Sequence, residues 1–197
     1  MSEAIHEATL TLDTHVDIRW PDPPDATTET DRCVDFPKMQ RGGLKAVVFI
    51  AYTPQGPRDA AGHQAAADRA EAMLRHIRTR ADGVARRFCA SADELEAAHE
   101  AGALAVLSAV ENGNAMGRDL ARLKLWRELG AIYLTLTHDG HNDLADAARP
   151  KPATAHLSWA PPQLFPARSH RVAAGAGACL HRRSACNSPS FTRRVRR

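Results

Sequence analysis

His15 and Asp17 stand two positions apart in the segment Leu12-Asp13-Thr14-His15-Val16-Asp17. On an extended strand, side chains two apart point to the same side. A neutral imidazole beside a carboxylate is a donor pair suited to Zn2+ or a similar divalent ion. Glu111 follows the apolar run Ala103 to Val110, and His138 follows the run Ala131 to Thr137. A carboxylate at Glu111 can bridge two ions, and two ions roughly 3.5–4 Å apart can hold a hydroxide and polarise a carbonyl. Taken alone, the His-x-Asp pair is better explained by hydrogen bonds that cap a strand end. The recurrence of such groups after three separate apolar runs is what favours metal-assisted hydrolysis. This chemistry needs no Ser or Cys nucleophile. Cys33 and Cys89 have no C-x-x-C spacing and read as free thiols.

The elements that must position these groups alternate between strand and helix. Thr9 to Leu12 is short and β-prone, so Asp13 to Asp17 is expected just after the first strand. Leu44 to Tyr52 (LKAVVFIAY) is a near-continuous apolar run, as in a strand buried on both faces. Ala103 to Val110 and Ala131 to Thr137 are similar. Ala60 to Arg80 has a helical stripe of Ala66, Ala70, Met73, Leu74 and Ile77. Ser91 and Glu94 have the spacing of a capping box, opening a helix that ends near Gly102. Gly117 to Leu129 reads as a third helix, with Gly130 as its C′ glycine. The expected order is β, loop, β-α-α-β-α-β, hence a parallel α/β sheet, either a barrel or an open doubly wound sheet. No G-x-G-x-x-G follows the first strand, which argues against a dinucleotide fold.

In a parallel barrel the carboxyl ends of all strands open onto one face, and sites form there. His15, Asp17, Glu111 and His138 would converge on that rim although they are far apart in sequence. The segments that carry them resemble one family. Leu12 to Asp17, Asp35 to Leu44 (DFPKMQRGGL), Glu111-Asn112-Gly113, Leu129 to His138 (LGAIYLTLTH) and Asn142 are similar, in order, to the membrane dipeptidase (renal dipeptidase) family of metallopeptidases. The resemblance spans about residues 9 to 148. It implies the N-terminal half of a (β/α)8 TIM-type barrel with two zinc ions that cleaves dipeptides by a metal-bound hydroxide. Carried over, His15 and Asp17 ligate the first zinc and Glu111 bridges both ions. His138 faces the substrate and stabilises the tetrahedral intermediate. Asp13 buttresses the loop, and His141 has no assigned role. Other amidohydrolase-like barrels usually open with His-x-His, unlike this chain.

With 197 residues, 44% of them hydrophobic, the chain can build a domain core. Its net charge of +3 averages two unlike parts. Residues 1–150 hold 17 Lys+Arg against 23 Asp+Glu, whereas residues 151–197 hold nine Lys+Arg and no acid. The expected organisation is therefore a partial barrel over 1–150 and an unfolded, basic, Pro/Arg/Ala-rich tail over 151–197. The tail has the composition of a GC-rich frame read out of register, so a frameshift near residue 150 is the expectation. Its scattered cations lack an aromatic platform and argue against a nucleic-acid arm. The family's later strands, with two further histidine ligands and a late aspartate, have no counterpart; His156 and His170 are poor substitutes. One zinc ion or none is then expected here, with impaired dipeptidase activity or an inactive family member. The open edges should leave Val47, Phe49, Val106, Leu134 and Leu136 short of packing partners and favour self-association as a homodimer. The expected partner is otherwise a dipeptide substrate, with no membrane. Absence of a signal-like or membrane-length apolar run gives a cytoplasmic expectation.

Overall fold

The computed structural model describes residues 2–81 and 83–149. Five strands form one sheet: β1 (Leu12–Asp17), β2 (Ala46–Tyr52), β3 (Arg86–Phe88), β4 (Leu104–Glu111) and β5 (Ala131–Thr135). The helices are α1 (Ser2–Ala8), α2 (Phe36–Gly42), α3 (Ala60–Arg80), α4 (Ala92–Glu100) and α5 (Ala121–Glu128), with a 3-10 turn at Gly113–Ala115. Every strand pair is parallel. β4 lies against β2 along one edge; its other edge carries β3 beside Leu104–Val106 and β5 beside Ser108–Glu111. This is the parallel α/β sheet expected of part of a TIM-type barrel.

Alternation explains the layers. Val47, Phe49 and Val106 face α2 and α3, packing with Phe36, Met39 and Ile77. Ala46, Val48, Ile50, Ala105, Leu107 and Ala109 face the opposite, concave side, where Ala98 of α4 packs. α4 lies there because β3 sits beyond β4, so the return to β4 runs backwards across the sheet and a right-handed crossover changes faces. The concave side is strongly curved. The Tyr133 hydroxyl on β5 reaches the Thr14 carbonyl on β1 at 2.6 Å, although three strand spacings separate these edges, roughly 14 Å in a flat sheet.

Several expectations change. β1 begins at Leu12 rather than ending there, so His15 and Asp17 lie on the strand itself. Glu111 likewise is the last residue of β4. β3 and α2, both short, were not anticipated. α3 matches its expected bounds, although Ala67 rather than Ala66 is buried. Its N-cap is Asp59, whose side chain accepts from Gly62 N–H. The third expected helix is shortened to Ala121–Glu128, because residues 113–119 form tight turns. Gly130 does take a left-handed φ of 99°, and a Cβ there would strike the Phe88 ring. Val47, Phe49 and Val106 are not short of partners: all three are buried beneath α2 and α3. The basic segment 151–197, including His156 and His170, lies outside the described residues. Among the described residues no helix is long and apolar enough to cross a membrane.

Candidate metal centre

Two matched irregularities aim the rim. Leu12 pairs with Ala46 and Asp13 with Val47, but Val16 pairs with Phe49 and Asp17 with Ile50. β1 therefore advances three residues while β2 advances two, which is a one-residue bulge at Thr14–His15. Unbroken alternation from Leu12 would turn His15 and Asp17 toward the helices; the bulge turns them to the concave face. β5 has the same device: Ala131 pairs with Ser108, but Leu134 pairs with Val110. That brings Tyr133 and Thr135 to the concave face as well. Val16 and Ile18, packed on the other side, hold the new phase of β1.

The result is a three-donor cluster. One ligand atom each from His15, Asp17 and Glu111 lies within 4.8 Å of the others. His15 Nε2 is 3.8 Å from Asp17 Oδ1 and 3.4 Å from Glu111 Oε2. Glu111 is 5% exposed. His15 Nε2 and Asp17 Oδ1 are buried atoms that make no hydrogen bond among the described residues. Buried polar atoms are nearly always paired; of the eight exceptions among the described residues, these two lie 3.8 Å apart. Nitrogen and oxygen donors in this grouping fit a divalent cation of the zinc type. Burial raises the Glu111 carboxyl above its ordinary range; His15 opposes the rise, Asp17 adds to it, and His138 opposes it.

His138 lies three residues past β5, outside the three-donor cluster. Its Nδ1 is 3.4 Å from the Tyr52 hydroxyl, and the two rings meet edge-on at 4.7 Å. Tyr52 stands directly across from Glu111 in the β2–β4 register. Burial and the nearby Glu111, Asp139 and Asp17 charges push its phenol upward. Asp13 does buttress the strand: its Oδ1 accepts from His15 N–H at 3.0 Å. His141 Nδ1 accepts from Ala147 N–H at 3.0 Å and lies 3.4 Å from Asp146, which makes it a loop fastener.

Two features escaped the sequence reading. Tyr133 touches His15 Nδ1 at 3.5 Å as well as Thr14 O, and burial, then Glu111, Asp13 and Asp17, push its phenol up to about 12. Behind Glu111 lies a buried amide network. Asn112, with a φ of 82°, donates to Thr53 O and accepts from Asn114 N–H and from the Asn142 amide. Asn142 also donates to Leu136 O and accepts from Leu144 and Ala145. Gly113 sits where a Cβ would meet Leu136 O at 2.7 Å. Only the side-chain amides at 112 and 142, each a turn-former in a loop context, signalled this in the sequence.

Comparison with known proteins places the chain. A family model described as membrane dipeptidase (peptidase family M19) matches residues 1–160. Similar solved structures include the probable dipeptidase PvdM from Pseudomonas aeruginosa, with a TM-score of 0.61 and 20% identity over 76% of this chain and 40% of that one. Another is a dipeptidase described as a metallopeptidase of family M19, with a TM-score of 0.56 and 25% identity over 70% and 45% of the two chains. A third is a metallopeptidase from Rhodobacter sphaeroides, liganded with a phosphinate mimic of the dipeptide L-Ala-D-Ala, with a TM-score of 0.57 and 21% identity over 70% and 48%. The chain thus spans less than half the length of these structures. Among curated proteins there is no significant match.

Proposed function

Because the chain belongs to the membrane dipeptidase family, peptidase family M19, we propose that its rim is the metal-binding half of a zinc-dependent dipeptidase site. The observation that carries this reading is the meeting of His15, Asp17 and Glu111, with two donor atoms buried and unbonded. A divalent ion held there would lower the pKa of a water and polarise a peptide carbonyl. Glu111 takes the proton of the attacking water and returns it to the leaving amine. His138 offers an N–H to the carbonyl oxygen as that oxygen gains charge, and Tyr52 steadies its ring. His15 and Asp17 supply the donors that orient the cluster.

The further pair of histidines implied by the resemblance is not assigned among the described residues. The proposal is therefore one ion per chain and dipeptide turnover well below that of the longer relatives. A second reading, a family member that binds metal without turnover, rests on the same three-donor cluster. Zinc content after dialysis, followed by hydrolysis of a dipeptide such as L-Ala-D-Ala, tests both. One retained zinc, lost in His15→Ala, with slow hydrolysis that requires it, is the expected outcome. Retained zinc with no hydrolysis favours the second reading, and two ions would show a complete site. No zinc retained at micromolar concentration would overturn both.

A further inference from the structure

We propose that Asp13 and Tyr133 are positioning residues that clasp one peptide group, Thr14–His15 in the β1 bulge, and thereby aim His15 and Asp17 at the rim. The inference rests on the reading of those two residues as metal ligands. A bulge leaves backbone outside the ladder, and neither Thr14 nor His15 has a partner in the β1–β2 register. The Thr14 carbonyl and the His15 N–H belong to the same peptide. The N–H donates to Asp13 Oδ1 at 3.0 Å, and the carbonyl accepts from the Tyr133 hydroxyl at 2.6 Å. In a trans peptide these two groups point in opposite directions, so the plane is gripped from both sides. Water can replace the phenol at the carbonyl, but a mobile water does not fix the plane.

The clasp decides between two phases of β1. Continuing the Asp13–Val47 pairing without a bulge would set His15 against Phe49 and Asp17 against Ala51, on the helix side of the sheet. Asp13 acts from within the strand. Tyr133 acts from β5, 119 residues beyond Thr14, and the bulge of β5 is what brings it to the concave face. The two bulges are thus interlocked: the one in β5 delivers the hydroxyl that holds the one in β1. The Tyr133 ring packs with the Ala46, Val48 and Ile50 cluster, so Tyr133→Phe keeps the packing and loses only the hydroxyl.

Amide exchange at His15 in metal-free protein separates this role from a contact with the imidazole, whose Nδ1 also lies 3.5 Å from the Tyr133 hydroxyl. In Tyr133→Phe the His15 N–H should exchange about 10-fold faster while amides of β2 and β4 keep their rates, and zinc affinity should fall about 5-fold. Asp13→Asn and Asp13→Ala remove the same charge, but only the first keeps an accepting oxygen. Asp13→Asn should therefore bind zinc about 5-fold more tightly than Asp13→Ala and exchange its His15 N–H more slowly. Unchanged His15 exchange in Tyr133→Phe would overturn the inference, and so would equal zinc affinity in the two Asp13 variants. Should Tyr133→Phe not fold, the Asp13 pair decides. Should exchange respond as expected while the wild type binds no zinc, the clasp stands and the metal reading fails.

Discussion

The central strands and the outer strands of the sheet do different work. β2 and β4 run in unbroken register over seven residue pairs, Ala46–Ala105 to Tyr52–Glu111, and are almost wholly buried. β1 and β5 each contain a bulge, are half-exposed, and end the sheet on either side. The centre supplies Glu111 simply by continuing its alternation. The outer strands had to break theirs to supply His15, Asp17 and Tyr133. Stability should therefore depend chiefly on the centre, and metal binding on the phase of the outer strands.

Two truncations separate these dependences. Leu107, buried on the concave face of β4, packs with Val48, Ala98 and Cys89 in one cluster. Leu107→Ala should cost about 3 kcal/mol of global stability, read by denaturant unfolding, while zinc affinity of the folded protein stays within about two-fold. Val16 is half-buried on β1, against the Val47 and Phe49 layer. Val16→Ala should cost less, about 1.5 kcal/mol, but it loosens the residue that holds the phase of His15 and Asp17. Its zinc affinity should fall about 5-fold. If Leu107→Ala weakens zinc as much as Val16→Ala does, centre and edge are not separable and the contrast is wrong.

The same contrast explains what the sequence could reveal. The central strands were legible because burial on both faces leaves a run of apolar residues with no competing signal. α3 was legible because 21 residues of helical periodicity outweigh local ambiguity. Ser91 was correctly read as an N-cap, and its side chain accepts from Glu94 N–H. The Glu94 carboxylate accepts from Ala90 N–H at 2.6 Å, and the Ser91 backbone also acts on it. Bulges were illegible because one extra residue leaves composition and spacing unchanged; only the partner strand reveals it. His15, Asp17 and Glu111 do meet in the structure, although the first two lie on β1 itself and not beyond a finished strand. β3 was missed because three residues, two of them arginine, carry no β pattern. Nothing local to Tyr133 signals its bond to Thr14, which is 119 residues away.

Acid should take the two regions apart in order. The loop leaving β1 is held by charge as well as by the apolar contacts of Ile18, Trp20, Ala26 and Val34. Arg32 donates to the Asp17 carbonyl, and Asp35, fully buried at the N-cap of α2, accepts from Thr30 N–H, from Lys38 N–H and from Lys38 Nζ at 2.6 Å. Burial alone would raise the Asp35 pKa, but the hydrogen bonds from Lys38 and Thr30 prevail and hold it well below the ordinary carboxylate range. A carboxyl depressed on folding contributes stability that is complete above its unfolded pKa of about 3.9 and is lost as pH falls toward the folded value. β2 and β4 contain no such group along their paired length except Glu111, whose shift is in the opposite direction. Between about pH 4 and pH 2, amide exchange in β1 and its exit loop should accelerate before exchange in β2 and β4 does. Asp35→Asn keeps a capping oxygen but cannot titrate, so it should start less stable at neutral pH and lose the acid dependence of β1. Simultaneous acceleration in all three strands would mean that the sheet opens as one unit and that β1 is no less secure than the centre.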